Sequence, residues 1–303
     1  MAWFRKCLVV AVVATLLLAA VQFVPAGRVW TVRTWVRAER LWSRDLPLSS
    51  ARGMVRAVEP ALSGLGLLRP VRVEVEPGVN LLLDPADDVS RTILVSRQGR
   101  WEPEVWASIV GGLGPGTVFI DVGAHIGYDT LKAAHVVGPQ GRVVAVEPNP
   151  RTLELLRANI EASQASNVTV APFACTDVPQ TLRFFDATAG GNSGSSSLSE
   201  ANAGPVASSF DVQGRPLDDI VDELGLTAVH VIKADVEGAE LGVIKGATRT
   251  ITRHHPRLIL EVVPEQLANM GTSVAELEGV LASMGYTQSR WIDYKNKEYL
   301  FAR

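Results

Sequence analysis

Cysteine is almost missing from this chain of 303 residues, which has only Cys7 and Cys175. Two cysteines cannot build a disulfide framework or a multi-cysteine zinc site. Internal repeats are also missing. Hydrophobic residues make up 47% and charged residues 20% of the chain, which excludes wholesale disorder and a fibrous architecture. At roughly 100–200 residues per domain, the length predicts one large domain or two small ones.

The main body lacks an excess of basic charge. Residues 1–60 carry nine Lys and Arg against three Asp and Glu, a balance of +6, so the other 243 residues carry −9 of the total of −3. Nonspecific nucleic-acid binding requires a basic face, which an acidic body does not supply. We therefore expect no nucleic-acid partner.

The basic amino-terminal end contains a long uncharged run. Residues 7–26 hold 20 residues without a charge, and at 1.5 Å each they rise about 30 Å, the thickness of a bilayer core. This length favours a retained membrane anchor over residues 1–27, with a cleavable signal peptide as the alternative. More arginines follow the run than precede it, so the positive-inside rule predicts a single-pass protein with its body in the cytoplasm.

Residues 28–79 are predicted to form a basic juxtamembrane helix and an accessory segment. From Arg33 onward the arginines fall on one helical face, and Trp35 and Trp42 fall on another. This pattern is typical of a helix that lies on an anionic leaflet. The alternative is a solvated helix that packs its tryptophans against the body.

From residue 117 the hydrophobic pattern alternates between short strands and helices. Such an alternation predicts an α/β fold with a parallel sheet covered by helices. Residues 187–209 interrupt it with 23 residues dominated by Gly, Ser, Ala and Asn, which predicts a long loop that is a lid or a linker. The predicted strands are 117–122, 142–147, 168–172, 181–185, 229–234 and 257–263, with a terminal pair at 287–292 and 298–302, and the predicted helices are 127–137, 150–162, 241–253 and 274–284.

The first chemical motif is an apolar strand that ends in Asp121 and leads through Gly123 and Gly127 into a helix. Glycine allows the backbone to approach a ligand closely, and a helix start presents free amide groups. The spacing is G-x-x-x-G instead of the dinucleotide pattern G-x-G-x-x-G. A carboxylate before the first glycine would repel a pyrophosphate, but it suits the amino-acid end of S-adenosylmethionine.

The second motif is Glu147, at the tip of the next strand. An acid at this place accepts hydrogen bonds from the ribose hydroxyls of an adenosine-containing ligand. Nicotinamide cofactors share this feature, so Glu147 alone indicates adenosine and not S-adenosylmethionine in particular.

The third motif lies at the end of a later strand, where Lys233, Asp235 and Glu237 alternate and Gly238 turns the chain. The carboxyl ends of parallel strands are where open α/β sheets bind ligands and react. Three ionisable groups within five residues favour a functional role over simple capping of helix ends.

Taken together, these segments resemble the FkbM-type class I methyltransferases, which depend on S-adenosylmethionine. The resemblance covers residues 80–303 and implies a Rossmann-like fold with a mostly parallel seven-stranded sheet and helices on both faces. It implies a cofactor pocket shaped by Asp121, Gly123, His125, Gly127, Glu147 and Asn149, with Asp177 near the adenine. Ser197, Lys233 and Glu237 would contact the substrate. The matching segments are residues 121–128, 146–150, 192–198 and 232–240.

Methyl transfer to a hydroxyl requires a group that removes the proton. The candidates are Asp235 first, His125 second and Glu261, at the tip of the following strand, third. Asp235 and Glu261 have the chemistry to hold a divalent ion, but no ligand spacing demands one, so no metal is expected.

The resulting hypothesis is an O-methyltransferase that acts at the membrane on a sugar hydroxyl of a glycolipid, a polysaccharide or a secondary-metabolite precursor. The alternatives are a non-catalytic, membrane-tethered module that binds an adenosine ligand or acts as a scaffold, and, third, a nicotinamide-dependent oxidoreductase.

Overall fold

A computed structural model of the chain describes residue 33 and residues 69–96, 101–188, 191–206 and 208–302. The predicted anchor over residues 1–27 lies outside these residues, as does the basic segment up to residue 68 with the exception of Arg33. No helix within the described ranges combines the length and the apolar character that a bilayer crossing requires. The anchor and its orientation stay predictions.

The chain divides into two compact units. One comprises residues 1–73 and 82–101, and the other comprises residues 74–81 and 102–303. In the described part of the first unit, a helix follows Asp87, whose carboxylate accepts a hydrogen bond from the amide of Ser90 at 2.9 Å. The sequence pattern did not predict this helix.

The described ranges contain twelve strands and nine α-helices. The strands are β1 (Val71–Glu76), β2 (Val79–Leu83), β3 (Val118–Val122), β4 (Arg142–Val146), β5 (Val168–Ala171), β6 (Ala174–Cys175), β7 (Gln180–Asp186), β8 (Ser208–Arg215), β9 (Val231–Ala234), β10 (Arg257–Glu261), β11 (Gln288–Trp291) and β12 (Asn296–Leu300). The helices are α1 (Asp88–Val95), α2 (Pro103–Val110), α3 (Tyr128–Val137), α4 (Pro150–Ala162), α5 (Leu217–Glu223), α6 (Glu240–Gly246), α7 (Thr248–His254), α8 (Pro264–Asn269) and α9 (Val274–Ser283).

Seven strands form the central sheet, in the order β11-β12-β10-β9-β3-β4-β5. The five strands from β10 to β5 are parallel, β12 is antiparallel to β10, and β11 is antiparallel to β12. The prediction of a mostly parallel seven-stranded sheet is therefore confirmed.

The central strands bury both of their faces. Phe119 packs with residues of α2 and α3, whereas its neighbour Ile120 packs in a second cluster with residues of α5, α6, α7 and α9. Neighbouring residues of a strand point to opposite faces, so helices cover both sides of the sheet. This arrangement explains why β3 and β9 are almost entirely apolar.

The predicted loop over residues 187–209 is partly regular. A 3₁₀ turn lies at Ser193–Ser195, and β8 begins at Ser208 and pairs with β6 and β7 in a three-stranded sheet. The sequence pattern also missed α5 and α8, because helices of seven and six residues are too short to show a helical period.

The predicted helix over residues 241–253 is two helices. Ala247, between α6 and α7, has φ −112° and ψ 13°, which are not helical angles. The preceding Gly246 packs so closely on the chain that a Cβ atom there would lie 2.0 Å from the carbonyl oxygen of Thr176. This packing breaks the helix, and no hydrophobic pattern reveals it.

Candidate active site

The acidic residues of the three motifs meet at the carboxyl edge of the parallel sheet. The turn after β3 is fixed by hydrogen bonds from the amides of Gly123 and Ala124 to the carbonyl oxygen of Val146 at 2.9 and 3.0 Å. On the other side, the amide of Asp235 donates to the carbonyl oxygen of Val122 at 3.0 Å. The turns after β4 and β9 therefore flank the turn after β3.

Gly123 joins the two sides of this site. It has φ +84°, and a Cβ atom there would lie 2.0 Å from the carbonyl oxygen of Asp235. The sequence reasoning assigned this glycine to the close approach of a ligand. The structure shows a packing role, because the glycine admits the backbone of the turn after β9, and its contact with a ligand stays a prediction. Gly127 has a similar packing role, since its Cβ atom would lie 2.6 Å from Leu156.

Asp121 is 1% exposed and faces the start of α3. Its Oδ2 atom accepts a hydrogen bond from Thr130 at 2.6 Å, whereas its Oδ1 atom is buried and has no partner among the described residues. Burial raises the pKa of Asp121, and the nearby Lys233 ammonium opposes this shift. The Oδ1 atom of Asp121 can therefore accept a hydrogen bond from a ligand beside Gly123.

Glu147 follows β4 and is held by backbone amides. Its Oε2 atom accepts from the amide of His125 and its Oε1 atom accepts from the amide of Asn149, both at 2.9 Å. Burial raises its pKa to about 7, although these two hydrogen bonds favour the charged form. The carboxylate is oriented and retains lone pairs for further donors.

Asn149 lies beside Glu147 and caps α4. Its Oδ1 atom accepts from the amide of Arg151 at 3.0 Å, and its Nδ2 atom donates to Asp186 at 3.4 Å. A contact between Asn149 and a cofactor stays a prediction. Asp177 is exposed and follows β6 in the three-stranded sheet. Its predicted position near an adenine stays a prediction.

On the β9 side, Lys233 is the centre of a buried ion network. Its ammonium lies 3.4 Å from Asp129 and 3.3 Å from Asp235. Burial alone would lower the pKa of Lys233, but Asp235 and Asp129 raise it well above the ordinary value. Lys233 is thus bound to two carboxylates, and its predicted contact with a substrate stays untested.

The charge of Asp235 is stabilised by this network. Burial opposes ionisation, but Lys233 and Lys295 lower the pKa of Asp235 below its ordinary value. Its side chain is 21% exposed, so it remains reachable from the cleft. Asp235 is therefore an ionised carboxylate at the mouth of the site.

Asp235, Glu237 and Glu261 form a cluster in which one carboxylate oxygen of each lies within 4.8 Å of the others. Burial and the charge of Asp235 raise the pKa of Glu237 to about 8 and that of Glu261 to about 9. The structure thus brings together the predicted residues of two neighbouring strand ends.

Lys295 completes this cluster and was missed in the sequence reasoning. It lies in the turn between β11 and β12, and its ammonium is 2.5 Å from Glu261 and 3.2 Å from Glu102. Its carbonyl oxygen accepts from the amide of Val262 at 2.6 Å. The turn between β11 and β12 lies at the carboxyl edge because Glu261 is in register with Asn296, and this register is not visible in the sequence pattern.

The described part of the Ser-rich loop, residues 191–206, contacts the site. His125, which has φ +50°, places its Nε2 atom 2.6 Å from the hydroxyl of Ser193. Ser197 donates to the carbonyl oxygen of Glu237 at 3.0 Å, and Asn202 donates to the same oxygen at 2.8 Å. The loop is thus fastened to the turn after β9, while its action as a lid stays a prediction.

The site lies where the strand order reverses, since the chain proceeds from β3 to β4 on one side and β9 adjoins β3 on the other. Open α/β sheets bind their ligands at this switch point. With the glycine turn after β3 and the acid after β4, the fold and the site define a Rossmann-like protein for a ligand that contains adenosine. The family model described as "Methyltransferase FkbM domain" matches residues 121–287, which is more than half of the chain. The chain belongs to the FkbM methyltransferase family.

Individual relatives share limited identity with the chain. Methyltransferase sdnD of Sordaria araneosa is 27% identical over 56% of this chain and 74% of its own. The 2-O-methyltransferase NoeI of Sinorhizobium fredii is 28% identical over 46% of this chain and 60% of its own. The solved structure of methyltransferase FkbM from Methylobacillus flagellatus has a TM-score of 0.44 at 20% identity and covers 71% of this chain and 55% of its own.

The chain spans less than two thirds of NoeI and of the solved FkbM protein, and 29% of a probable cobalt-precorrin methyltransferase of Sulfolobus acidocaldarius. The resemblance inferred from the motifs is confirmed by the family match. Methyltransferase homologues bind S-adenosylmethionine, the cofactor that the sequence predicted. The alternative of a nicotinamide-dependent oxidoreductase has no support in this match.

Proposed function

We propose that the protein is an S-adenosylmethionine-dependent O-methyltransferase whose acceptor is a sugar hydroxyl of a glycolipid, a polysaccharide or a secondary-metabolite precursor. The observation that carries this proposal is the arrangement around Gly123. Asp121 and Glu147, which suit a charged adenosine ligand, lie on one side, and the ionised Asp235 lies on the other side. A cofactor and an acceptor would meet between them.

The residues of the β3–β4 side fit the cofactor. The buried Oδ1 atom of Asp121 has no partner among the described residues, so it suits an ammonium group. Glu147 is fixed by two amides and suits the paired hydroxyls of a ribose. When bound, S-adenosylmethionine would supply a methyl group activated by its sulfonium charge.

The β9–β10 side would align the hydroxyl that receives the methyl group and would supply a base for its proton. Transfer of a methyl group proceeds in line, so orientation of the acceptor oxygen provides much of the rate. We propose that Asp235 accepts the hydroxyl proton, because its low pKa keeps it ionised and because it remains partly exposed. His125 is the second candidate base. Glu261 is the third, since its raised pKa keeps it protonated near neutral pH.

The acceptor class is supported by one relative and by the sequence. NoeI is described as a 2-O-methyltransferase, which supports transfer to a hydroxyl. The uncharged run in residues 7–26 supports a single-pass anchor, and the arginines that follow it support a body in the cytoplasm. These two features support a hydroxyl-bearing acceptor at the membrane, for which we propose a glycan or a glycolipid.

The test is methyl transfer by the full-length chain in detergent, with S-adenosylmethionine that carries a labelled methyl group. The acceptors are extracts of membrane glycolipids, soluble glycans and simple sugars, and the products are labelled acceptor and S-adenosylhomocysteine. Asp235→Asn should reduce labelling by at least about a hundredfold, whereas Asp211→Asn, which changes an exposed carboxylate paired with Arg183, should retain it. Cofactor binding without transfer to any acceptor would favour the non-catalytic, membrane-tethered module instead.

A further inference from the structure

The carboxyl edge of the sheet carries more acidic than basic groups. Within the described ranges, six acidic residues around Lys233 and Lys295 stand against these two ammonium groups. Lys233 is shared between Asp129 and Asp235, and Lys295 is shared between Glu102 and Glu261. The six acidic residues are Glu102, Asp121, Asp129, Asp235, Glu237 and Glu261.

Three of these carboxylates lie at the distances of a metal site. Asp235 and Glu237 come from the turn after β9, and Glu261 ends β10. Their ligand atoms lie within 4.8 Å of one another. Oxygen atoms bound to one Mg²⁺ or Ca²⁺ lie about 2.0–2.6 Å from the ion, which separates any two of them by no more than about 5 Å. The cluster therefore already has the dimensions of a coordination shell.

A second observation points to a ligand in this place. Glu261 is 2% exposed, and its Oε1 atom accepts a hydrogen bond from the ammonium group of Lys295. Its Oε2 atom is buried and receives no hydrogen bond from any donor in the part of the chain that the structure describes. The Glu261 carboxyl group hydrogen-bonds to that of Asp235, which places the carboxyl groups of the two strand ends against each other.

We propose that Asp235, Glu237 and Glu261 form a binding site for a divalent cation, Mg²⁺ or Mn²⁺. Carboxylate oxygens without histidine or cysteine favour these hard ions over zinc or copper. Lys295 would stay on Oε1 of Glu261 and leave Oε2 for the ion. The sequence offers Asp235 and Glu261 as candidate ligands without a spacing that demands an ion, and the structure adds Glu237 to them.

The coordination positions that the protein leaves free would give the ion a role toward the acceptor, and this role rests on the proposed function. Three carboxylates leave positions of an octahedral ion free for water or for acceptor hydroxyls. A hydroxyl bound to a divalent cation loses its proton more easily. The ion would therefore orient the acceptor oxygen and assist Asp235.

The experiment titrates the full-length chain, in detergent and without S-adenosylmethionine or acceptor, with Mn²⁺ and follows the free ion by electron paramagnetic resonance. We expect one Mn²⁺ per chain, displaced by excess Mg²⁺. Glu237→Gln and Glu261→Gln should each weaken binding at least tenfold. Glu265→Gln removes an exposed carboxylate in the first turn of α8, next to Gln266, which holds Glu237, and should leave binding unchanged.

Circular dichroism confirms that each variant is folded, and Glu237→Gln, which is only half-buried, is the decisive variant if Glu261→Gln does not fold. Absence of a Mn²⁺ site in the wild-type chain would overturn the proposal and leave a shared proton between Asp235 and Glu261. Binding that survives Glu237→Gln would also overturn it. Calorimetry of the same sample with S-adenosylmethionine tests the methyltransferase proposal separately. Mn²⁺ binding is measured without S-adenosylmethionine, and S-adenosylmethionine binding is measured without Mn²⁺, so either proposal can fail alone.

Discussion

The two sides of the site hold their carboxylates in different ways. On the β3–β4 side, Asp121 and Glu147 accept hydrogen bonds from a hydroxyl and from backbone amides, which fix their geometry without a counter-ion. On the β9–β10 side, Asp235 and Glu261 are held by the ammonium groups of Lys233 and Lys295. The first side therefore leaves acceptor oxygens for a ligand that brings its own positive charge, whereas the second side already contains two ammonium groups as counter-ions.

The largest expected effect comes from a change at the junction of the two sides. Gly123→Ala would place a Cβ atom 2.0 Å from the carbonyl oxygen of Asp235, at a residue with φ +84°. We expect a loss of several kcal/mol of unfolding free energy, because strain of about 1–3 kcal/mol adds to a backbone clash. Urea unfolding measures this loss.

Gly116→Ala is the matched control for this change. Gly116 has nearly the same φ, +82°, but a Cβ atom there meets nothing within 4 Å. It should cost only the conformational strain, roughly 1 kcal/mol. Equal losses in the two variants would contradict the close contact between the turns after β3 and β9.

Asp235→Asn should separate the two sides by function. We expect methyl transfer to fall by about 10²–10⁴-fold, the usual contribution of a general base, while the affinity for S-adenosylmethionine stays within a few-fold. The measurements are single-turnover kinetics and calorimetry on the same preparation. A loss of cofactor affinity as large as the loss of rate would show that the two sides are not separate.

The cofactor side should respond to pH through Glu147. Its pKa of about 7 lies above the ordinary value of 4.5, so the carboxylate takes up a proton as the pH falls through 7. A protonated carboxyl group accepts ribose hydroxyls poorly, so the affinity for S-adenosylmethionine should fall below pH 7 by up to about tenfold per unit. The same raised pKa means that its contribution to stability is full below pH 4.5 and is lost as the pH rises through 7.

Calorimetric titrations from pH 5.5 to 8.5 check this prediction. Glu147→Gln should bind S-adenosylmethionine weakly because it lacks the carboxylate, and its affinity should not depend on pH because an amide does not titrate. Cofactor affinity that is equal at pH 5.5 and 8.5 in the wild-type chain would contradict a role of the Glu147 carboxylate.

The smallest effect is expected at the loop that spans both sides. Ser193→Ala removes the 2.6 Å contact with His125, and a hydrogen bond of about 1 kcal/mol corresponds to about a fivefold change. The change should appear in KM for the acceptor more than in kcat, if the loop closes over the substrate. Ser283→Ala, at the exposed end of α9, should leave both constants unchanged.

The sequence pointed to acidic residues on both sides of the site, but it located contacts only where they are short in sequence. Asp121 and Thr130 are nine residues apart, and Glu147 is bound by the amide two residues ahead, so a strand–turn–helix pattern suffices to place them. Lys295 lies 34 residues from Glu261, and only the register of the terminal hairpin brings it there. Long-range ion pairs of this kind leave no periodic signal in one sequence.

Hydrophobic periodicity located the five parallel strands of the central sheet, because strands covered by helices on both faces are mostly apolar. It also placed the terminal pair β11 and β12, although the four residues of β11 are exposed. The break at Ala247 and the packing role of Gly123 depend on backbone contacts between distant turns, which composition does not encode.

The central claim is that the carboxyl edge of β3 and β4 binds S-adenosylmethionine. Calorimetric titration of the full-length chain with S-adenosylmethionine and, separately, with NAD tests it most directly, with Glu147→Ala as the paired variant. We predict one binding site for S-adenosylmethionine, lost in Glu147→Ala, and no binding of NAD. A folded wild-type chain that does not bind S-adenosylmethionine, or binds it equally well as Glu147→Ala, would contradict the claim.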